Sequence, residues 1–213
     1  MIRIDVSFQN RENRSNKKMG SIRTIVSYKS KNDLKVAVLG EAGVGKTTLV
    51  RAFVEDTSKP LGTYRPTLGA EIRRQDVDVF IGKDPTRISL VIWDLSGQPT
   101  FRSLVTESLA GSTAAIVCYD IGRYETFQAV ASWFDFLWKA EPTTLKKPII
   151  LVGNKKDLRR RNLSQITPGQ GKDYATTITR YTGVETPFFE TAAIEKSNVS
   201  APFKKLAKML LEK

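Results

Sequence analysis

Histidine is absent from this chain, and cysteine occurs once, at Cys118. The first absence excludes imidazole metal ligands and every catalytic scheme that moves a proton through histidine. The second excludes an internal disulfide. Cys118 lies in the apolar run Ala114–Tyr119 and reads as a small buried hydrophobe, not as a redox or metal group. No apolar stretch approaches the roughly 20 residues of a membrane span. No N-terminal apolar core of about 7–15 residues marks a secretory signal, so the expected location is cytoplasmic. Acidic residues are scarce, 22 against 34 Lys and Arg, for a formal net charge of +12. Of this, +5 falls within residues 1–33, and Arg159-Arg160-Arg161 forms a second basic cluster. Such charge suits anionic lipid, nucleic acid or acidic partners, against the plainer reading of a solvated surface. No internal repeat is present. With 40% apolar residues, the roughly 180 residues after the basic stretch can bury one substantial core. The expected organisation is an N-terminal extension over residues 1–33 and a single domain over residues 34–213.

What is present is a set of short loops with chemical content. Gly40-Glu41-Ala42-Gly43-Val44-Gly45-Lys46-Thr47 fits G-x-x-x-x-G-K-[ST]. It follows a strand-like run, Leu34–Leu39, and precedes a helical one, Thr48–Val54. Its glycines let consecutive backbone N–H groups point into one cavity, where the positive end of the next helix also favours polyphosphate. Lys46 would reach the β- and γ-phosphates, and the Thr47 hydroxyl would ligate Mg²⁺.

A second loop selects the base. Ile149–Gly153 is a continuous apolar run that delivers Asn154-Lys155-Lys156-Asp157 at its C-terminal end, where open α/β sheets bind ligands. A carboxylate at Asp157 can accept two parallel hydrogen bonds from N1–H and the 2-amino group of guanine; adenine has no such donor pair. Trp93-Asp94-Leu95-Ser96-Gly97-Gln98 closes another strand, Arg87–Ile92. There Asp94 could hold Mg²⁺ through a water, the Gly97 N–H could touch the γ-phosphate, and Gln98 could orient an attacking water. Upstream, Tyr64-Arg65-Pro66-Thr67 supplies a second hydroxyl for the metal. Downstream, Phe188-Phe189-Glu190-Thr191-Ala192-Ala193 is a strand end whose backbone could meet guanine O6.

These five segments in this order resemble the Ras-like small GTPase superfamily, from about Lys35 to the C-terminus. Thr67–Ile72, Phe101–Leu104 and Tyr119-Asp120 look closest to the Rab branch. The resemblance implies a P-loop NTPase fold: three α/β/α layers, a six-stranded, mostly parallel sheet with one antiparallel strand, and about five helices. It implies a monomeric GTP/GDP switch that hydrolyses GTP slowly and answers to exchange factors, activating proteins and effectors. Carried onto this chain, the catalytic residues are Gln98, Lys46 and Thr67, and the metal ligands are Thr47, Thr67 and Asp94. The nucleotide contacts are Glu41, Ala42, Gly43, Val44, Gly45, Lys46, Thr47, Thr48, Thr67, Gly97, Asn154, Lys155, Asp157, Leu158, Thr191, Ala192 and Ala193.

The chain departs from the family pattern in several places. Pro60 stands where an aromatic residue usually stacks on guanine. Pro99 follows Gln98 in place of an acidic residue and stiffens that loop in φ. Ile194 replaces the customary lysine after the guanine-contacting alanine. Of three aromatics with which Rab proteins read effectors, only Trp93 has a match; Ile72 and Ser108 occupy the other places. The chain ends in the amphipathic run Phe203–Leu211 with no terminal cysteine for prenylation, which points to a prokaryotic or archaeal member, or to a shortened chain. Met19-Gly20-Ser21-Ile22-Arg23-Thr24 fits a myristoylation pattern only as an internal start, and reads as chance. The basic extension suits peripheral contact with an anionic membrane, while alternation of Ile2, Ile4, Val6 and Phe8 suits an added strand. An RNA-associated GTPase and a non-hydrolysing scaffold are the competing classes. No second RNA-binding domain follows the core, and Lys46, Thr47, Thr67, Asp94 and Gln98 are all present.

The remaining elements follow from pattern. Glu71–Ile81 and Arg87–Leu95 are expected to pair through a turn at Gly82-Lys83-Asp84-Pro85. Phe127, Val130, Phe134, Leu137 and Trp138 form a helical core stripe. Thr167-Pro168-Gly169-Gln170 is a capping box opening a helix, and a strand near Pro187–Glu190 lies between the last two helices.

Overall fold

The structure, a computed structural model, describes residues 33–55, 66–81, 84–140, 142 and 146–212. The first strand, β1 (Asp33–Leu39), is followed by α1 (Lys46–Phe53), β2 (Ala70–Ile81) and β3 (Asp84–Leu95). Then come α2 (Arg102–Leu109), β4 (Ala114–Asp120), α3 (Tyr124–Gln128), α4 (Val130–Ala140) and β5 (Ile149–Asn154). The chain closes with α5 (Pro168–Thr182), β6 (Phe188–Glu190) and α6 (Ser200–Leu211). The strands form one sheet in the order β2-β3-β1-β4-β5-β6. Only β2 runs antiparallel, paired with β3; β1 pairs in parallel with β3 and β4, β4 with β5, and β5 with β6.

The sequence explains this arrangement. Strands β4 (AAIVCYD) and β5 (IILVGN) are buried at every residue, as parallel strands covered on both faces must be. The core gathers Val36, Val38, Leu49, Ile92, Ile116, Ile150, Phe203 and Leu206 from both layers. The Phe53 ring stacks on Phe203 at 4.0 Å, joining α1 to α6. Cys118 is buried, and burial pushes its thiol up to about 12, consistent with an inert packing role. Helix α5 opens on the expected capping box, with Thr167 and Gln170 bonding reciprocally, and ends at Gly183 in the left-handed region (φ 70°).

Two details differ from expectation. Among the described residues there are six α-helices, because the segment after β4 divides at Ala129 into α3 and α4. The hairpin is also tighter: Ile81 pairs with Asp84 and Phe80 with Pro85. Proline's φ suits an extended strand, so Asp84 and Pro85 belong to β3 and not to the turn. Pro60, Leu61, Tyr64, Arg65 and the extension before Asp33 lie outside the described residues.

The topology positions the site. The chain lays β3 and β2 on one side of β1, then crosses to add β4, β5 and β6 on the other. All five parallel strands therefore deliver their C-terminal ends to one edge, at a switch point of the kind that binds ligands. Those ends lead into Gly40–Gly45, Ser96–Gln98, Ile121–Arg123, Lys155–Asp157 and Thr191–Ala193.

Candidate functional site

At that edge lies a cavity of about 550 Å³. Of the residues expected to form the site, Ala42, Gly43, Gly45, Lys46, Thr47, Thr48, Thr67, Gly97, Gln98, Asn154, Lys155, Asp157 and Ala193 line it. The loop after β1 is shaped by its glycines. Gly40, Gly43 and Gly45 all have positive φ, at 137°, 75° and 95°. A Cβ on Gly40 would fall 2.1 Å from the Cys118 carbonyl oxygen, and one on Gly45 2.4 Å from Asn154 Nδ2. No side chain caps α1, so its first-turn N–H groups are not taken by a capping side chain.

Inside the loop, Lys46 Nζ donates to the carbonyls of Gly40 (2.8 Å) and Glu41 (2.9 Å). Burial pushes the Lys46 pKa down, opposed chiefly by the charge of Asp94. An ammonium has three donors, and two are spent on fixing the side chain in the loop.

Beside it, three oxygen donors converge from separate segments. Thr47 Oγ1 lies 2.9 Å from Thr67 Oγ1 and donates to Asp94 Oδ2. The other carboxylate oxygen, Asp94 Oδ1, is buried with no hydrogen-bond partner. Burial pushes Asp94 up to about 6, against the Thr47 hydrogen bond and the Lys46 charge. Next along the chain, Gly97 presses on the phosphate loop: a Cβ there would sit 2.4 Å from the Ala42 nitrogen. Ser96 N–H donates to Gly69 O at 2.8 Å, tying this segment to the one carrying Thr67.

On the other side of the cavity, Asn154 works as a brace. Its Nδ2 donates to Val44 O (2.9 Å), while Oδ1 accepts from Thr191 Oγ1 (2.9 Å) and Ala193 N–H (3.2 Å). Lys156 N–H donates to Thr191 O (2.9 Å). Asp157 lines the cavity, and its Oδ1 is buried without a partner.

Several expected contacts stand behind the cavity wall. Val44, Thr191 and Ala192 are buried; Thr191 holds Asn154, and Ala192 pairs with Ser197. Leu158 lies under Gly122. Glu41 points away, its Oε1 accepting from Trp133 Nε1 at 2.9 Å.

The structure adds residues that sequence reasoning missed. Arg51, Glu71 and Arg73 line the cavity, alongside Ile194, which the sequence already marked as standing in the customary lysine's place. Asp120, at the end of β4, accepts from Arg123 Nε (3.0 Å) and Lys155 Nζ (2.7 Å). Arg123 Nη2 in turn donates to Ala42 O at 2.9 Å. Asp120 and Arg123 stand at the C-terminal end of a buried parallel strand; that position was the available signal.

Comparison with known proteins follows the same span. The Ras family matches residues 35–212. The Ypt/Rab-type GTPase ypt7 of Schizosaccharomyces pombe is 36% identical over 188 residues, covering 86% of this chain and 85% of that protein. The Ras-related protein Rab-7b of Mus musculus is 35% identical over 185 residues, 86% of this chain and 85% of its own. The Ras-related protein Rab7 of Vigna aconitifolia is 32% identical over 188 residues, with coverage of 87% and 86%.

Proposed function

This chain belongs to the Ras family of small GTPases, and from that membership we propose a Mg²⁺-dependent GTP/GDP switch with slow intrinsic turnover. The chain is Rab-like and hydrolyses GTP as an enzyme of that family.

The phosphates of GTP rest on the backbone amides of Ala42–Gly45 and the N-terminus of α1. Lys46, fixed by two loop carbonyls, has a third N–H for a β- or γ-phosphate oxygen. The metal site is fitted by its donor set. Hydroxyls of Thr47 and Thr67 with a carboxylate at Asp94 are the hard oxygen ligands that Mg²⁺ takes, and Asp94 Oδ1 has no other partner. Thr47 and Thr67 would ligate the ion directly and Asp94 through a water. When bound there, Mg²⁺ would supply positive charge against the phosphates. Gln98 orients the attacking water, and the Gly97 N–H meets the γ-phosphate. Asp157 accepts from N1–H and the 2-amino group of guanine.

The switch follows from which contacts need the γ-phosphate. The γ-phosphate contacts of Thr67 and Gly97 would exist only with GTP bound, so the loops over about residues 56–70 and 94–106 are the proposed switch segments, residues 56–65 lying outside the described ones. Partners then read two surfaces. Exchange factors, activating proteins and effectors are the expected classes. An arginine supplied by an activating protein would raise turnover by about 10³–10⁵-fold.

The observation that carries this reading is that Lys46 and Asp157 line one cavity, with a buried, unpartnered Asp157 oxygen. Single-turnover phosphate release tests it. Wild type should turn over at about 10⁻⁴–10⁻² s⁻¹. Gln98→Leu should be slower with GTP affinity nearly unchanged; a variant as fast as wild type assigns the water to another group.

A further inference from the structure

Glu41 is the second residue of the phosphate loop, yet its carboxylate leaves the cavity and enters a cluster that the nucleotide chemistry does not use. Glu41 Oε1 accepts the indole N–H of Trp133 at 2.9 Å and stands 3.8 Å from Arg102 Nη2. Trp133, on α4, is 1% exposed, so its N–H has no water to turn to and Glu41 supplies its acceptor. The Arg102 guanidinium lies 4.0 Å from the centre of the Trp133 ring and 5.1 Å from that of Phe136. Those two rings are close to perpendicular, at 86°. Arg102 thus sits in a box of two aromatic rings and one carboxylate, which its flat, delocalised cation fits.

Position makes this more than packing. Arg102 is the first residue of α2, where a positive charge opposes the helix dipole. The carboxylate and the rings offset that placement. Only the short 3-10 turn Pro99–Phe101 separates Arg102 from Gln98. That turn is closed by the Phe101 N–H donating to Gln98 O at 3.1 Å and stiffened in φ by Pro99. On the other side of Gln98, Gly97 is pressed against the phosphate loop. Gln98 is therefore held between two attachments to the same loop, Gly97 on Ala42 and Arg102 on Glu41.

We propose that Arg102, through Glu41 and seated on Trp133, is a positioning residue for hydrolysis: it latches the start of α2 to the phosphate loop and so sets where Gln98 stands. This rests on the reading of Gln98 as the group that orients water. Both latch side chains are about one-third exposed, 34% for Arg102 and 31% for Glu41, so the latch can open to solvent when the switch region moves. The latch acts on turnover and not on nucleotide affinity, because neither carboxylate nor guanidinium faces the cavity.

The test compares wild type, Gln98→Leu, Arg102→Ala, Arg102→Lys, Glu41→Gln and the Glu41→Gln/Arg102→Ala double variant. Single-turnover GTP hydrolysis, GTP and GDP affinity, and thermal melting are measured for each. Arg102→Ala should hydrolyse about tenfold to a hundredfold more slowly, the scale of an ångström-level misplacement, with nucleotide affinities and melting close to wild type. Arg102→Lys should recover part of the rate through its charge. The double variant should be no slower than Arg102→Ala alone, because one latch is lost only once. Hydrolysis by Arg102→Ala at the wild-type rate overturns the proposal, as do additive losses in the double variant. If wild type fails to bind GTP, or Gln98→Leu turns over like wild type, the underlying switch reading falls. If those controls behave and Arg102→Ala does not slow, only the latch falls.

Discussion

Replacing Asp94 with asparagine should stabilise the nucleotide-free protein, although it removes a residue assigned to the metal site. Asp94 is 1% exposed, and burial raises its pKa from 3.8 to about 6. A carboxyl whose folded pKa is raised favours the fold while protonated. That contribution is fully present below about pH 3.8 and lost as pH rises through about 6. At pH 7.5 the wild type therefore carries a buried carboxylate whose ionisation costs about 3 kcal/mol relative to the unfolded chain. Asparagine has no such cost, and its carbonyl still accepts from Thr47. Lys46 loses its strongest counter-charge in the variant, so the net gain should be smaller, about 1–3 kcal/mol, or roughly 2–12 °C in Tm for a domain of this size. The gain should shrink to about half by pH 5, where the wild-type carboxyl is mostly protonated. The assay is thermal melting of both proteins, free of nucleotide and with chelator, from pH 5 to 8. A pH-independent gap, or an asparagine variant less stable at every pH, refutes the argument. Adding Mg²⁺ and GTP should reverse the order, because only the wild type keeps the carboxylate for the metal.

Thr47→Ala should weaken GTP binding mainly in the presence of Mg²⁺, since one oxygen ligand is removed; titration with and without chelator checks this, and metal-independent affinity in wild type contradicts it. Lys46→Ala should weaken GTP and GDP together, measured by equilibrium titration, because the third N–H can reach the β-phosphate that both carry. The basic extension should give salt-sensitive flotation with anionic liposomes, at about 1 kcal/mol per well-placed Lys or Arg. Removing residues 1–33 should reduce flotation, and equal behaviour of both forms contradicts a membrane role for the tail.

The parts of the fold visible in the sequence were those encoded locally. Strands β4 and β5 announce themselves as unbroken apolar runs because they are buried on both faces. The phosphate loop is legible because its geometry depends on glycines at fixed spacing, and its positive φ values appear at those glycines. The capping box at Thr167 is equally local. What escaped depends on distant contacts. Glu41 meets Trp133 across 92 positions, and Arg123 meets Ala42 across 81; no periodicity carries such pairs. Trp133 itself shares the stripe of Val130, Phe134 and Leu137 and is more buried than Phe127 or Trp138. Its spacing of i+3 from Val130 fits the stripe, but its polar N–H gives no hint of the carboxylate it serves. Likewise, a P-loop acid reads as a nucleotide contact until its side chain is seen to point outward.

The central claim is a site that selects guanine through Asp157, and nucleotide titration of wild type and Asp157→Asn tests it most directly. GDP, ADP and XDP should be compared at equal Mg²⁺. Wild type should prefer GDP strongly over ADP. Losing the charge-assisted pair should cost about 2–4 kcal/mol, a fall in GDP affinity of about 30- to 800-fold. The variant should gain XDP, whose 2-carbonyl accepts from the new amide. Equal GDP affinity in both proteins, with no gain of XDP, contradicts the account.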